Sequence, residues 1–269
     1  MDFKIGQYWP GHSFFHRLDA RAKIVALFLL LIALLRLKDP ISIGLYLLLS
    51  IAFVKVAHIP FRVVLHSFKN VLFIVLFAFL MNLFFRADGE AVLWQFGPLK
   101  ISREGLSAAV LMSVRILLLV FNSSFFLSLT TKARALADAI EKLLKPLEFF
   151  KVPVGELALM MSIALRFIPT LIDESNRIIK AQASRGGDLD RGGLLKKARA
   201  FVIILVPLFV SALKRASDLA LAMEVRGYQG SRGRTTLNES RLEFRDFIFI
   251  LAIMLLSLGL LLQARWRGL

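Results

Sequence analysis

Two arginines, Arg185 and Arg226, occupy the same place in two copies of a short motif, Ala-x-x-x-Arg-Gly. We call these copies, residues 181–186 and 222–227, the arginine boxes. A guanidinium group stays charged at any working pH and can donate two parallel hydrogen bonds to one carboxylate. Both arginines are therefore candidates for contact with an acidic partner. The other residues of the boxes that we assign to this contact site are Ala181, Gly186, Ala222, Glu224 and Gly227.

A helix-ending role is the simpler interpretation of each box. Arginine in a last turn neutralises the negative end of the helix dipole, and a glycine just after it closes the helix. One box on its own favours this interpretation. The repetition of the box on two consecutive helical segments leaves both interpretations open.

The spacing of apolar residues predicts two long helices that end in these boxes. Pro153 suits the first turn of the first helix, while Pro169 and Pro207 lie inside the two patterns, where each should kink or locally open its helix. Gly186 and Gly227 stand where a residue in the left-handed conformation would close a helix. The apolar face of the first helix consists of Leu157, Met160, Ala164, Ile168, Leu171 and Ile178. The apolar face of the second helix consists of Ala198, Phe201, Leu205, Leu208, Ala212, Ala216, Leu219 and Met223.

Composition places the chain among polytopic membrane proteins. Of its 269 residues 57% are hydrophobic and 24 are Phe, and the mean hydropathy is +0.69. The chain has no Cys, which excludes disulfides, thiolate metal sites and a cysteine nucleophile. We expect an all-α polytopic membrane protein with about five transmembrane helices and a module of long amphipathic helices on the cytoplasmic side. The apolar runs that predict these spans are 24–37, 40–57, 70–85, 105–130 and 246–264.

The net charge of +16 indicates membrane orientation rather than nucleic-acid binding. Cytoplasmic segments carry an excess of Lys and Arg, and residues 131–245 contain 20 Lys and Arg against 12 Asp and Glu. We therefore place the N-terminus and residues 131–245 in the cytoplasm. The expected domains are a membrane domain over 1–130, the cytoplasmic helices over 131–245, and a last span with a short tail over 246–269. Further spans at 157–172 and 200–213 are disfavoured because they would move basic residues outside.

The sequence lacks the usual motifs of catalysis. It contains no G-x-x-x-x-G-K-[ST] nucleotide-binding loop and no H-E-x-x-H metal motif, so we expect no catalytic residue, metal site or resident cofactor. Asp173 and Glu174 share a helix face with Arg177 and Lys180, which favours ion pairs within that helix. Arg115 lies inside an apolar run, where an ionisable group is costly unless it faces protein or water. We interpret Arg115 as an interior packing or partner contact.

These motifs together resemble those of the transmembrane T component of energy-coupling factor (ECF) transporters, the EcfT/CbiQ family. The resemblance extends from about Tyr8 to the last span. Near the N-terminus, Asp19-Ala20-Arg21-x-Lys23 is similar to the family pattern Asp-Pro-Arg-x-Lys, with Ala20 in place of the proline. The arginine boxes match the paired motifs of the family, with Ser184 where alanine is usual. Other similar segments are Leu129-Thr130-Thr131 and Ala164-Leu165-Arg166-Phe167-Ile168-Pro169. The residues that we assign to structural motifs are Asp19, Arg21, Lys23, Arg166, Pro169, Glu174 and Pro207.

The resemblance implies a role in transport. In such transporters two ABC-type ATPases hydrolyse ATP, with Mg²⁺, beneath the T component, and a separate S component binds a vitamin or a transition-metal ion such as cobalt or nickel. The arginine tips of two coupling helices dock on the ATPases and transmit their closure to the S component. The chain would then be a non-catalytic subunit in a prokaryotic inner membrane. Its partners would be two ATPases, an S component and the lipid bilayer, with no nucleic acid.

A stand-alone membrane carrier or channel is the alternative from another functional class. It would require ionisable groups at mid-membrane depth and broken helices in symmetric halves, for which Arg115 is the main support. An integral membrane enzyme would require a cluster of His or acidic residues that the sequence does not show.

Overall fold

The computed structural model describes residues 8–9, 11, 13–60, 63, 71–85, 92–96, 99–185, 193–230 and 242–267. The chain divides into two compact units. One unit consists chiefly of Ile140–Glu239, and the other of Ile5–Ala139 with Ser240–Leu269.

Helices account for most of the described residues. The first helices in the described part of the chain are α1 (Phe14–Arg17), α2 (Ala20–Arg36), α3 (Pro40–Ala57) and α4 (Leu72–Phe85). The others are α5 (Arg103–Ser123), which continues as a π-helical stretch (Ser124–Leu129), then α6 (Ala133–Leu144), α7 (Val154–Ser184), α8 (Leu194–Val225) and α9 (Phe244–Arg267). Each of the five apolar runs predicted from the sequence corresponds to a helix over most of its described residues. The all-α polytopic fold class is thereby confirmed.

Local sequence explains where the first helices begin and end. The Asp19 carboxylate accepts a hydrogen bond from the Arg21 backbone N–H and so caps the start of α2. Pro40 stands at the start of α3, where the missing N–H of proline leaves no helical hydrogen bond unmade. His58, with φ of 54°, ends α3 in the left-handed conformation.

Aromatic packing forms the centre of the larger unit. Phe15 of α1 lies 5.2 Å from Phe125 and 5.4 Å from Phe53 of α3, measured between ring centroids. Phe249 of α9 lies 5.8 Å from Phe15, and Phe126 lies 5.1 Å from Phe125. All five side chains are buried. One aromatic cluster thus joins α1, α3, α9 and the π-helical stretch, with the edge-to-face geometry that aromatic pairs prefer.

A short β-hairpin precedes α5. Its strands, β1 (Val92–Phe96) and β2 (Leu99–Ser102), pair antiparallel with Trp94 opposite Ile101 and Phe96 opposite Leu99. The sequence analysis did not predict it, because strands of five and four residues carry too little periodicity to recognise. The Ser102 hydroxyl then accepts a hydrogen bond of 2.9 Å from the Gly105 N–H and caps α5.

The smaller unit contains the two long helices that end in the arginine boxes. Pro169 lies within α7 and Pro207 within α8, and each helix continues on both sides of its proline. The two prolines therefore end neither helix, although each removes one backbone hydrogen bond.

Among the described residues, four helices are long and apolar enough to cross a membrane by length and composition: Pro40–Ala57, Arg103–Leu129, Val154–Ser184 and Phe244–Trp266. Leu72–Phe84 is apolar but shorter, and α2 has 17 residues. The helix Val154–Ser184 belongs to the segment that the charge bias assigns to the cytoplasmic side. Its composition alone therefore allows a deeper position in the bilayer than the charge bias favours. The predicted domain boundaries and the cytoplasmic N-terminus remain predictions.

Candidate functional site

The second arginine box ends α8 in a hydrogen-bonded turn. Gly227 adopts the left-handed conformation, with φ of +74°, as its position in the sequence predicts. The Gly227 N–H donates to the Glu224 carbonyl at 2.9 Å, and the Tyr228 N–H donates to the Met223 carbonyl at 3.0 Å. This pair of bonds is the Schellman motif, which satisfies the last carbonyls of a helix. Arg226 therefore stands in a fixed backbone position at the end of α8.

The first box ends α7 at the equivalent residue. Arg185 follows the last helical residue, and its N–H lies 3.1 Å from the Gln182 carbonyl and 3.3 Å from the Ala181 carbonyl. Ser184, which stands where the related motif has alanine, donates its hydroxyl to the Lys180 carbonyl at 3.1 Å. The polar side chain at that position is thus satisfied by its own helix. Gly186 lies outside the described residues.

Both box arginines are exposed at the helix ends. Ala181, Ala222 and Glu224 are exposed as well. Among the residues that the structure describes, neither Arg185 nor Arg226 forms an ion pair with a carboxylate. Both guanidinium groups are therefore accessible to solvent.

An ion pair joins α7 to α8 at a distance from the boxes. Arg215 Nη2 donates to Glu174 Oε2 at 2.8 Å, with 35% and 29% of the two side chains exposed. The expectation that Glu174 pairs within its own helix is therefore wrong. The contact between α7 and α8 brings the Arg215 side chain within hydrogen-bond distance of the carboxylate, so Glu174 pairs between the helices.

The ion pair relates the two boxes. Glu174 and Arg215 are 41 residues apart, and so are Arg185 and Arg226. Each member of the ion pair consequently lies eleven positions before a box arginine. With a helical rise of about 1.5 Å per residue, each arginine lies about 16 Å along its helix from the ion pair. The two helix ends are therefore equivalent arms that extend from one contact.

The remaining structural-motif residues of these helices are exposed. Arg166 and Pro169 lie on the surface of α7, and Pro207 lies on the surface of α8. The structure brings none of them to the Glu174–Arg215 contact.

The N-terminal motif connects three separate elements of the larger unit. Asp19 pairs with Arg21 at 3.0 Å, and its backbone N–H donates to Asp246 Oδ1 of α9 at 2.9 Å. Lys23, only 2% exposed, donates from Nζ to the Thr130 carbonyl at 2.8 Å. The motif thus holds the start of α2 against the start of α9 and the end of the π-helical stretch.

Ala20 and Arg115, two residues singled out in the sequence, have direct structural reasons for their positions. Ala20 is the first residue of α2, a position that favours proline but also accepts alanine, because the N–H there has no helical partner.

Arg115 donates from Nη2 to the carbonyl of Leu37, the residue that caps the end of α2. Arg115 is therefore an interior contact that places a positive charge at the negative end of a helix.

In the described part of the chain, no group of three or more His, Cys, Asp or Glu side chains is arranged to hold a metal ion.

Comparison with known proteins identifies the family of the chain. A family model described as "CbiQ, cobalt transport protein" matches residues 11–237. The chain belongs to the CbiQ/EcfT family. Several similar proteins are named energy-coupling factor transporter transmembrane protein EcfT. The one from Ruminiclostridium cellulolyticum is 46% identical over 89% of both chains. The one from Exiguobacterium sibiricum is 46% identical over 96% of this chain and 97% of the relative. Another, from Clostridium kluyveri, is 43% identical over 99% of this chain and 98% of the relative.

Membership of the CbiQ/EcfT family confirms the resemblance inferred from the motifs. The matched region contains the N-terminal motif, both arginine boxes and the Glu174–Arg215 ion pair. The apolar helices and the family together establish a membrane protein.

Sequence reasoning missed two residues of this arrangement. Arg215 could have been found from the spacing of the boxes, because it stands at the position of α8 that corresponds to Glu174 in α7. Asp246, 3% exposed, also accepts the Glu243 N–H at 2.8 Å and so caps α9. Its only sequence signal is an acidic residue at the beginning of an apolar run.

Proposed function

We propose that this CbiQ/EcfT-family protein is the coupling subunit of an ECF-type importer. It transmits the ATP-driven motion of two ATPase subunits to an S component that takes up a vitamin or a transition-metal ion. The names of its relatives support an ECF transporter. The single observation that carries the coupling role is the pair of exposed arginines, Arg185 and Arg226, at equal distances from one ion pair.

The geometry suits transmission of movement. An α-helix is stiff along its axis, so displacement of the residue at its end displaces the rest of the helix. Because α7 and α8 are joined at Glu174 and Arg215, displacement of one helix also displaces the other. A guanidinium that is exposed at each tip can enter an acidic groove of an ATPase and form bidentate hydrogen bonds there. ATP and Mg²⁺ belong to the ATPases in this scheme.

An apolar stripe on α8 supports contact with a membrane partner. Phe201, Leu205, Phe209 and Leu213 follow each other at intervals of four, and between 47% and 65% of each side chain is exposed. Residues at this spacing lie along one side of a helix. Since association of helices in lipid depends on close packing, this stripe is a suitable surface for the S component.

The orientation is proposed from charge, and the contacts of the larger unit are compatible with it. With the N-terminus in the cytoplasm, the starts of α2 and α9 and the end of the π-helical stretch all face the cytoplasm. The contacts of Asp19 with Asp246 and of Lys23 with Thr130 require these three points to be close together. This agreement supports a topology with the three points on one side of the membrane. The Lys and Arg bias places that side in the cytoplasm, and we assign the protein to a prokaryotic inner membrane.

Charge reversal at the tips tests the coupling role. Loss of one partner of a buried charge-assisted pair costs about 2–5 kcal/mol, whereas loss of a helix-dipole interaction costs about 0.3–1 kcal/mol. Arg185→Glu or Arg226→Glu should therefore reduce co-purification of the ATPases and ATP-driven uptake by at least tenfold, and the double variant should abolish both. The amounts of membrane-inserted protein should remain equal.

A matched control uses Lys196→Glu with Lys197→Glu. These residues lie in the first turn of α8, where acidic residues favour the helix dipole, and they are far from Arg226 in the same helix. The control should retain both ATPases. Normal ATPase retention and uptake by the double tip variant would show that the arginines only cap their helices.

A further inference from the structure

A cavity of about 510 Å³ lies at the end of the larger unit where α2 begins. Three cationic side chains, Arg17, Lys23 and Lys132, line it together with Thr130 and Thr131. Its lining contains no Asp or Glu among the residues that the structure describes. We call this cavity the basic cavity. An excess of positive charge without a carboxylate favours an anionic ligand.

Asp19 and Asp246 lie near Lys23 and offset part of its charge, but each carboxylate is also engaged by other groups. Asp19 binds Arg21, and Asp246 accepts backbone N–H groups from Asp19 and Glu243. Within the described ranges, Arg17 and Lys132 form no ion pair, and both are exposed. Both charges can consequently turn toward a ligand without breaking a contact with a carboxylate.

The walls of the cavity are held in place by hydrogen bonds. Lys23 is fixed by the Thr130 carbonyl, and the Thr131 hydroxyl donates to the Phe126 carbonyl at 2.6 Å. The ring nitrogens of His16 lie 2.7 Å from Ser13 Oγ and 2.9 Å from the Trp9 carbonyl. A site whose walls are already ordered binds with less loss of conformational entropy.

Aromatic residues beside the cavity indicate the level of the membrane interface. Tyr8 lines the cavity, and Lys132 Nζ lies 5.7 Å from the centroid of its ring. Trp9 and Phe14 are 39% and 45% exposed. Tyr and Trp are enriched where a membrane protein meets the lipid headgroups. The cavity therefore lies at a depth where phosphate groups of lipids are abundant.

A cavity at the opposite end of α2 provides a contrast. It measures about 540 Å³ and is lined by Arg36, Lys38 and Arg265, but also by Asp39. The carboxylate offsets part of its positive charge, and no buried lysine forms its wall. The basic cavity is the better anion site of the two.

We propose that the basic cavity binds the phosphate group of an acidic phospholipid. Basic pockets between transmembrane helices on the cytoplasmic side bind anionic headgroups of this kind. Arg17 and Lys132 contact the phosphate from the open side, and Lys23 supplies a fixed positive charge beneath it. This site depends on the protein being in a membrane and not on coupling to ATPases, so the two proposals can fail separately.

Native mass spectrometry of the purified full-length chain in detergent tests the proposal. Phosphatidylglycerol and phosphatidylcholine are titrated separately against the wild type, Arg17→Gln, Lys132→Gln and Arg134→Gln. Arg134 is exposed, lies two residues from Lys132 and is absent from the cavity lining, so it loses the same charge without touching the site. Lys23 is left unchanged because it also holds Thr130.

The wild type should retain phosphatidylglycerol in preference to phosphatidylcholine. One Lys or Arg near an anionic membrane surface contributes about 1 kcal/mol, so each cavity variant should weaken retention of phosphatidylglycerol about fivefold. Arg134→Gln should bind as the wild type does. Equal weakening by Arg134→Gln, or equal retention of the two lipids, would overturn the proposal. Displacement of phosphatidylglycerol by millimolar inorganic phosphate would assign the cavity to free phosphate instead of a lipid.

Discussion

Reversing the charge of either Glu174 or Arg215 should weaken the contact between α7 and α8, and reversing both should restore it. Glu174→Arg leaves two arginines facing each other, while Arg215→Glu leaves two glutamates. The double exchange recreates an ion pair with the partners swapped. Because one contact joins the two arms, this experiment examines the part of the structure that relates the arginine boxes to each other.

The expected magnitude follows from distance and exposure. The two side chains are 2.8 Å apart, and about a third of each is exposed to solvent. Exposed ion pairs contribute about 0.2–1 kcal/mol, and well-protected hydrogen bonds to charged groups contribute about 1.5–3 kcal/mol. Because solvent partly screens the Glu174–Arg215 pair, its contribution to the free energy of unfolding is about 1 kcal/mol. Since like charges repel by a similar amount, each single reversal should cost about 1–2 kcal/mol.

The assay is a double-mutant cycle on thermal unfolding in detergent, at one fixed scan rate. Spin labels at Ala181 and Ala222 of this Cys-free chain provide a second measurement, since their distance distribution reports on the two arms. Each single reversal should lower the apparent Tm and broaden the distribution. The double exchange should recover most of both effects.

Asp173 and Lys214 provide the matched control. They are also 41 residues apart, each precedes a member of the ion pair, and both are exposed. Among the described residues they form no ion pair, so exchange of their charges should show no coupling. If the effects of Glu174→Arg and Arg215→Glu simply add, within about 0.5 kcal/mol, the ion pair does not join the helices and the reasoning is refuted.

Three further predictions concern caps, buried charge and orientation. Gly227→Ala should destabilise the end of α8 by about 1–2 kcal/mol, because φ is +74° at this position although there is open space for a side chain. Gly227→Asn should cost less, since Asn adopts the left-handed conformation more readily. An unchanged apparent Tm for the Ala variant would contradict the left-handed cap. Lys23→Met should lower stability by about 1.5–3 kcal/mol through loss of the charged hydrogen bond to Thr130. A neutral result in thermal unfolding would show that this bond only offsets the cost of burying the ammonium group. A single cysteine at Lys38 should be labelled from outside intact cells, whereas one at Gln229 should be labelled only after permeabilisation. Labelling of position 229 in intact cells would contradict the proposed orientation.

Much of the local structure could be read from the sequence. The apolar periodicity predicted α7 and α8, and Gly227 was placed correctly in the left-handed conformation. Asp19 was recognised as part of a motif, and it caps α2. These features depend on hydrogen bonds between residues a few positions apart, so the side chains and backbone that determine them are neighbours in the sequence.

Partners that are distant in the sequence could not be read in this way. Arg115 meets Leu37 across 78 positions, and Lys23 meets Thr130 across 107. A charged residue in an apolar run shows that some partner is required, but not which one.

The choice between partners for Glu174 was made by the tertiary structure. One basic residue on the same helix, Arg177, was available at a spacing that favours an ion pair, yet the carboxylate binds Arg215, 41 residues away. Local spacing determined that Glu174 would have a cationic neighbour, and the packing of α7 against α8 determined that the neighbour is Arg215. The sequence by itself thus established the family, the helices and the two arginines at their ends. The contact that relates those arginines exists only after the helices have come together, because its energy depends on a distance that no local pattern specifies.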